Sequence, residues 1–280
     1  MIVSDDDTTQ SLGIVVSWSC NETIFLEAQL RELHVCTCAT HIVYSIGSHL
    51  FDGTPQNVPD GLSQAESQSQ KTRIEVVRYD VAHQDAIMDP RKYHNLARLN
   101  GYRQLVKNNA ENSSGVSWVM FLDGDEIPVG AELNNWFQIH KKHLNEKMAY
   151  KFSCYWYFKS PTWRARAHED SIILVNLKQE TAALTDPRER DGIVAHQPGG
   201  CMRRLCGVNS EPMFHHFSWV RPLEQIRHKV RTWGHKNDRT DWNDIIHQFW
   251  IDSNHDRQTT DPIHGYKYDI LESPMFDIRV

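Results

Sequence analysis

Runs of apolar residues alternate with amphipathic stretches over roughly the first 125 positions. Leu12 to Trp18 is a mostly β-branched run and predicts a strand, and Asn21 caps a helix whose apolar residues include Phe25, Leu30 and Leu33. His41 to Ile46 repeats the strand signature, Ile74 to Val81 gives a third, and Trp118 to Leu122 a fourth that is apolar on both faces, as when helices cover both sides of a sheet. Before the fourth, Asp89-Pro90 supplies a cap and first-turn proline for a helix running to about Asn108. Gly47 to Gln70 is rich in Gly, Pro, Ser and Gln without a helical or strand period, which predicts a long surface loop. Four strands interleaved with helices predict an α/β fold with a parallel, right-handed, doubly wound sheet. Further on, Ala149 to Tyr157 and Ile172 to Leu177 read as strands, and Pro222 to Trp233 as a helix with Leu223, Ile226, Val230 and Trp233 on its apolar side.

The fourth strand changes the picture because it ends in carboxylates, Asp123-Gly124-Asp125-Glu126, where a parallel sheet opens its ligand crevice. Two aspartates facing one way offer hard oxygen donors for Mg2+ or Mn2+ and, through it, a diphosphate. Gly124 leaves room for the ligand, and Pro128 ends the strand. An EF-hand calcium loop starting at Asp123 is excluded by Ile127, Pro128 and Asn134. A second signal is Met213-Phe214-His215-His216-Phe217-Ser218-Trp219, since either imidazole can complete a coordination shell beside Asp125.

Composition narrows the classes. The 280 residues suffice for one large α/β domain, and a net charge of -6 gives no reason to expect a nucleic-acid partner. No stretch approaches the roughly 20 apolar residues of a membrane span, and the acidic start is no leader, so a soluble cytoplasmic protein is expected. Six cysteines (Cys20, Cys36, Cys38, Cys154, Cys201, Cys206) fit reduced thiols there.

In combination these pieces resemble the nucleotide-sugar-dependent glycosyltransferases of the GT-A fold, over roughly residues 12 to 236. The first strand with Asn21-Glu22 is similar to that fold's opening, Arg98-Leu99-Asn100-Gly101-Tyr102-Arg103 to its Arg-Asn-Gly-Tyr helix, and Asp123-Gly124-Asp125 to its Asp-X-Asp motif. His216-Phe217-Ser218-Trp219, then Glu224, Lys229 and His235, resemble a His-X-Ser-aromatic segment and Lys/His helix of some of these families. The resemblance implies a Rossmann-like, mixed but mainly parallel sheet with helices on both faces. It implies a single domain with a nucleotide-sugar half to about residue 127 and an acceptor half with a C-terminal extension beyond it. The free-standing transferases it resembles include those of large algal viruses, for which UDP-xylose or UDP-glucose donors and glycan acceptors are expected.

The roles implied are specific. Asp123 and Asp125 hold Mn2+ or Mg2+ with His216 or His215, and the metal neutralises the nucleotide leaving group. Lys229, Arg227, His235, Arg98 and Arg103 offer positive charge to the donor, and Asp52 lies where the base and ribose are read. An inverting reaction needs a carboxylate base. His168-Glu169-Asp170 supplies it in this reading, with Asp170 preferred over Glu169, and Asp191 and Glu211 follow. Trp156, Trp163 and Trp219 are candidates for stacking on sugar faces. Rival readings are a haloacid-dehalogenase-like phosphatase with Asp123 as nucleophile, a noncatalytic sugar-binding protein, and a structural zinc site from Cys201, Cys206, His215 and His216.

Overall fold

In the computed structural model, residues 10–68, 72–80, 90–112, 115–179, 181–251 and 260–278 are described. Strands β1 (Ser11–Trp18), β2 (Ala39–Gly47), β3 (Arg73–Tyr79) and β4 (Val116–Asp123) form the expected parallel sheet in the order β3-β2-β1-β4. Helices α1 (Thr23–Val35), α2 (Asp60–Gln68) and α3 (Pro90–Asn112) lie between them. Both faces are covered. Ile14, Val16, Met120 and Leu122 face Leu26 of α1 and Leu62 of α2, whereas Val15, Val119 and Phe121 face Leu99, Tyr102 and Leu105 of α3. Gly101 permits that second contact, because a Cβ there would come within 2.4 Å of Val15 Cγ1.

Beyond β4 the sheet continues through β5 (Glu126–Pro128), β6 (Ala149–Phe158), β7 (Trp163–Asn176), β8 (Cys201–Leu205), β9 (Phe214–Trp219) and β10 (Tyr268–Ile270), in the order β4-β7-β6-β9-β5, with β8 on β6 and β10 on β7. The sheet is thus mixed but mainly parallel: among the described strands, β5 and β7 run against the rest. Helices α4 (Gly130–His140), α5 (Arg190–Ala195), α6 (Leu223–Thr232) and α7 (Trp242–Ile246) complete the fold. No helix among the described residues is long and apolar enough to cross a membrane.

Two expectations are corrected. The stretch expected to be a loop from Gly47 to Gln70 contains α2, whose burial rests on Leu62 with Ala65 against the core, too few apolar positions to show a period. The short strand expected at Ile172 to Leu177 is the second half of β7, whose first half is charged and gains its ladder from β6, Tyr157 opposite Arg164. His168-Glu169-Asp170 therefore lies in a strand and not on a turn. The expected cap Asp89 and the strand end at Val81 lie outside the described residues.

Candidate functional site

Register assembles the site. Ser17 of β1 stands opposite Asp123 of β4, and His216 of β9 stands opposite both Glu126 of β5 and Trp156 of β6. The turn between β4 and β5 has its backbone held from several sides. Gly124 N donates to Ser17 O at 2.9 Å, Phe217 N to Asp125 O at 2.9 Å, Gln29 Nε2 to the carbonyls of Asp123 and Glu126, and Asp123 N to Glu126 Oε2 at 2.7 Å. Gly124 meets a steric demand different from the one expected. A Cβ would lie 2.6 Å from Glu22 Cγ and 2.9 Å from Trp18 Cδ1, so the glycine makes room for these two cavity-lining side chains.

The two aspartates of the motif belong to separate ionic groups. Asp123 accepts from Arg98 Nη2 at 3.1 Å, with Arg190 Nη2 at 3.2 Å and His94 Nε2 at 3.6 Å. Asp125 accepts from Arg221 Nη2 and Lys229 Nζ, both at 2.9 Å on Oδ2, and its Oδ1 faces His216 Nε2 at 3.2 Å. Burial would raise both carboxyls, but Arg190, Arg98 and His94 around Asp123, and Lys229, His216 and Arg221 around Asp125, hold them well below the usual carboxylate range. Beneath them Glu126, fully buried, takes a bidentate contact from Arg190 at 2.7 and 2.6 Å and one from Ser171 Oγ. Glu189 adopts a left-handed backbone (φ 57°) and faces Arg98 at 3.3 Å and His94 at 3.2 Å. His94 is pulled down by burial and Arg98, yet Glu189 and Asp123 push it up to about 9.

Above this floor lies a cavity of about 440 Å3 at the C-terminal ends of β1 to β4. Its lining includes Phe51, Gln56 and Tyr79, the polar group Asp123, Asp125, His216 and Lys229, and the rings of Trp156, Trp219 and His264. Buried polar atoms without a hydrogen-bond partner concentrate here: Ser17 Oγ, His216 Nδ1, and the indole Nε1 of Trp18, Trp156 and Trp233 all belong to lining residues. A buried donor without a partner costs about 1–3 kcal/mol, so such a concentration marks a surface built to be completed by a ligand. Lining residues are tied to their surroundings by Arg91 with Asp238 (2.6 Å), His235 with Asp238 (2.8 Å), and Lys236 Nζ on Phe51 O (2.8 Å).

The sequence-derived residues are distributed as follows. Asp123, Asp125, His216, Lys229, His235, Trp156 and Trp219 line the cavity. Arg98 stands behind Asp123, 1% exposed, and holds that carboxylate. His215 is a correction: as the neighbour of His216 on a strand it faces the opposite side, where Nδ1 meets Tyr157 Oη at 2.8 Å, and burial with nearby Arg164 pushes it down to about 3. The four-ligand zinc site fails for the same reason, and among the described residues no group of three or more His, Cys, Asp or Glu is arranged to hold a metal. Asp170 pairs with Arg203 at 3.0 Å, Glu169 accepts from Tyr266 Oη, Asp191 from Lys151, and Glu211 from Tyr155; none of the four is among the lining residues. Arg227 pairs with Glu224, Arg103 is exposed, and Asp52 closes a turn on Thr54 N. Trp163 is half-buried away from the cavity. The sequence reading missed His94, Arg190, Arg221 and Glu189, named Glu126 without a role, and the one local signal for Arg221 is its place two residues after the His-Phe-Ser-Trp segment. An Asp123 nucleophile is disfavoured, since Arg98 Nη2 lies 3.1 and 3.5 Å from its two oxygens.

For a divalent cation the fitting pair is Asp125 and His216. Asp125 Oδ1 and His216 Nε2 face each other at 3.2 Å, both residues line the cavity, and behind the ring His216 Nδ1, which makes no hydrogen bond, lies 3.8 Å from Glu126 Oε1. If this imidazole held an ion, Glu126 would be the carboxylate nearest to its second nitrogen. Two protein donors suit an ion that completes its shell with phosphate oxygens and water.

No family model and no curated protein matches this chain. Solved structures do. One is a 4-diphosphocytidyl-2C-methyl-D-erythritol synthase from Anaerococcus prevotii, with TM-score 0.43 and 10% identity over 72% of this chain and 89% of that one. Another is S. aureus TarS 1-349 in complex with UDP, with TM-score 0.43 and 11% identity over 78% of this chain and 64% of that one. A third is a glycosyltransferase involved in glycosylation of the major capsid of PBCV-1, with TM-score 0.39 and 12% identity over 78% of this chain and 98% of that one. At such scores likeness identifies no activity.

Proposed function

We propose that this protein is a metal-dependent glycosyltransferase that moves a sugar from a nucleoside diphosphate donor, UDP in the first instance, to a hydroxyl of a glycan acceptor. One observation carries the reading: Asp125, His216 and Lys229 meet in a crevice at the C-terminal ends of a parallel sheet, where donors without partners await a ligand. Phe51, Tyr79 and Gln56 among the lining residues suit a flat base with polar edges. Lys229, 5% exposed, and the cationic His94 bring positive charge to the diphosphate between them. Asp125 and His216 hold the ion, and Asp123, fixed by Arg98 and Arg190, presents its carboxylate beside them. Bound Mn2+ or Mg2+ supplies Lewis-acid neutralisation of the diphosphate as it leaves. Trp156 and Trp219 offer apolar faces to the sugars, and UDP-xylose and UDP-glucose are the donors to try first.

Calorimetry with UDP, GDP and UDP-sugars, with and without Mn2+, tests this. Metal-dependent UDP binding is expected, and Asp125→Asn should abolish it while keeping the melting transition. Absence of nucleotide binding by the wild type under every metal condition overturns the reading.

A further inference from the structure

Transfer with inversion needs a group that takes the proton from the attacking hydroxyl, and the carboxylates lining the cavity are occupied. Glu22 is held by Arg221 at 3.1 Å, Asp125 by Arg221 and Lys229, Asp123 by Arg98 and Arg190, and Asp238 by Arg91 and His235. A carboxylate paired with cations is a poor proton acceptor. His264 differs from these groups in both place and surroundings.

His264 sits on the loop from Asp261 to Tyr268, a segment without a readable sequence motif. Asp261, 3% exposed, organises that loop by accepting from the backbone N of Ile263, His264 and Tyr266 and from Tyr268 Oη. His264 Nδ1 lies 3.4 Å from Asp261 Oδ1, short of a formed hydrogen bond, as is common for catalytic pairs before substrate binds. Its ring stacks parallel to Tyr266 (9°), which donates to Glu169, so Glu169 braces the loop. The His264 ring also packs on Trp156 at 4.3 Å, and the other neighbour of that indole is His216 at 4.0 Å. One indole thus touches both His264 and His216, so the two imidazoles belong to the same stretch of the cavity lining.

We infer that His264, oriented by Asp261, is the general base that deprotonates the acceptor hydroxyl; the inference rests on the transferase reading above. The acceptor oxygen forms its bond to the anomeric carbon, the bond from that carbon to the phosphate oxygen breaks with its electron pair leaving on the nucleoside diphosphate, and His264 Nε2 receives the proton. Asp261 is a positioning residue that favours the Nδ1–H tautomer and so leaves the lone pair on Nε2 of this cavity-lining ring.

The test compares the wild type with His264→Ala by calorimetry for UDP with Mn2+, and by UDP release from UDP-glucose and UDP-xylose with water or nitrophenyl glycosides as acceptors. Unchanged UDP affinity, a fall in kcat of at least about 100-fold, and recovery with added imidazole in proportion to its concentration are expected. Retained kcat, or a loss that imidazole does not restore, overturns the role. Nitrogen NMR of the UDP complex decides the matter independently of turnover: His264 protonated on Nδ1 and changed in Asp261→Asn supports it, and protonation on Nε2 overturns it. Failure of the wild type to bind UDP is a different result and strikes the donor reading itself.

Discussion

His215 and His216 are neighbours on one strand, yet they live in opposite media. His215 enters an aromatic layer with Tyr157, Phe217 and Phe276, where burial keeps it neutral. His216 enters an ionic layer with Asp125 and Glu126, and although burial works against its charge, those carboxylates raise its pKa. The alternation of a strand is enough to separate a packing residue from a site residue, and residue type alone cannot make that distinction.

Breaking the ionic layer should have the largest effect. Glu126→Gln leaves Arg190 buried with half its compensation and should cost about 3–5 kcal/mol, read from the denaturant midpoint. Much smaller loss would mean that water reaches this layer.

The aromatic layer should show itself through acid. His215 has a folded pKa near 3 against 6.5 unfolded, so its neutral form favours the folded state above about pH 6.5, and that contribution fades as the pH falls toward 3. At most about 5 kcal/mol is at stake, reached only at the acid end of that window. His215→Phe should flatten that part of the stability profile while leaving UDP binding intact; an unchanged profile refutes the assignment.

Smaller changes refine the contrast. Gly124→Ala pushes Glu22 and Trp18 aside and should cost about 1–3 kcal/mol while weakening nucleotide binding, measured by melting and calorimetry together. Lys178→Ala removes an exposed pair with Glu146 at 3.5 Å and should change stability by less than about 1 kcal/mol, a baseline for charges outside the layer.

Strand β4 and its carboxylates were legible because a strand buried on both faces leaves a continuous apolar run, and its polar end then stands out. The place of His216 was legible as chemistry but not as geometry, since nothing local tells which of two adjacent histidines faces Asp125. Arg190, Arg221 and Glu189 escaped notice because their partners lie far away in sequence and meet them only when β5, β9 and α3 close on one another. The loop around Asp261 escaped for a different reason: its order comes from one carboxylate collecting backbone donors, which leaves no periodic trace.

The polar ties beside the cavity respond to the medium. Arg91 with Asp238 and Lys236 on the carbonyl of Phe51 join segments distant in sequence at the edge of solvent, where dissolved ions compete for the same charges. Added salt would therefore loosen both ties and release the segment that carries Lys236 and Asp238 from its partners.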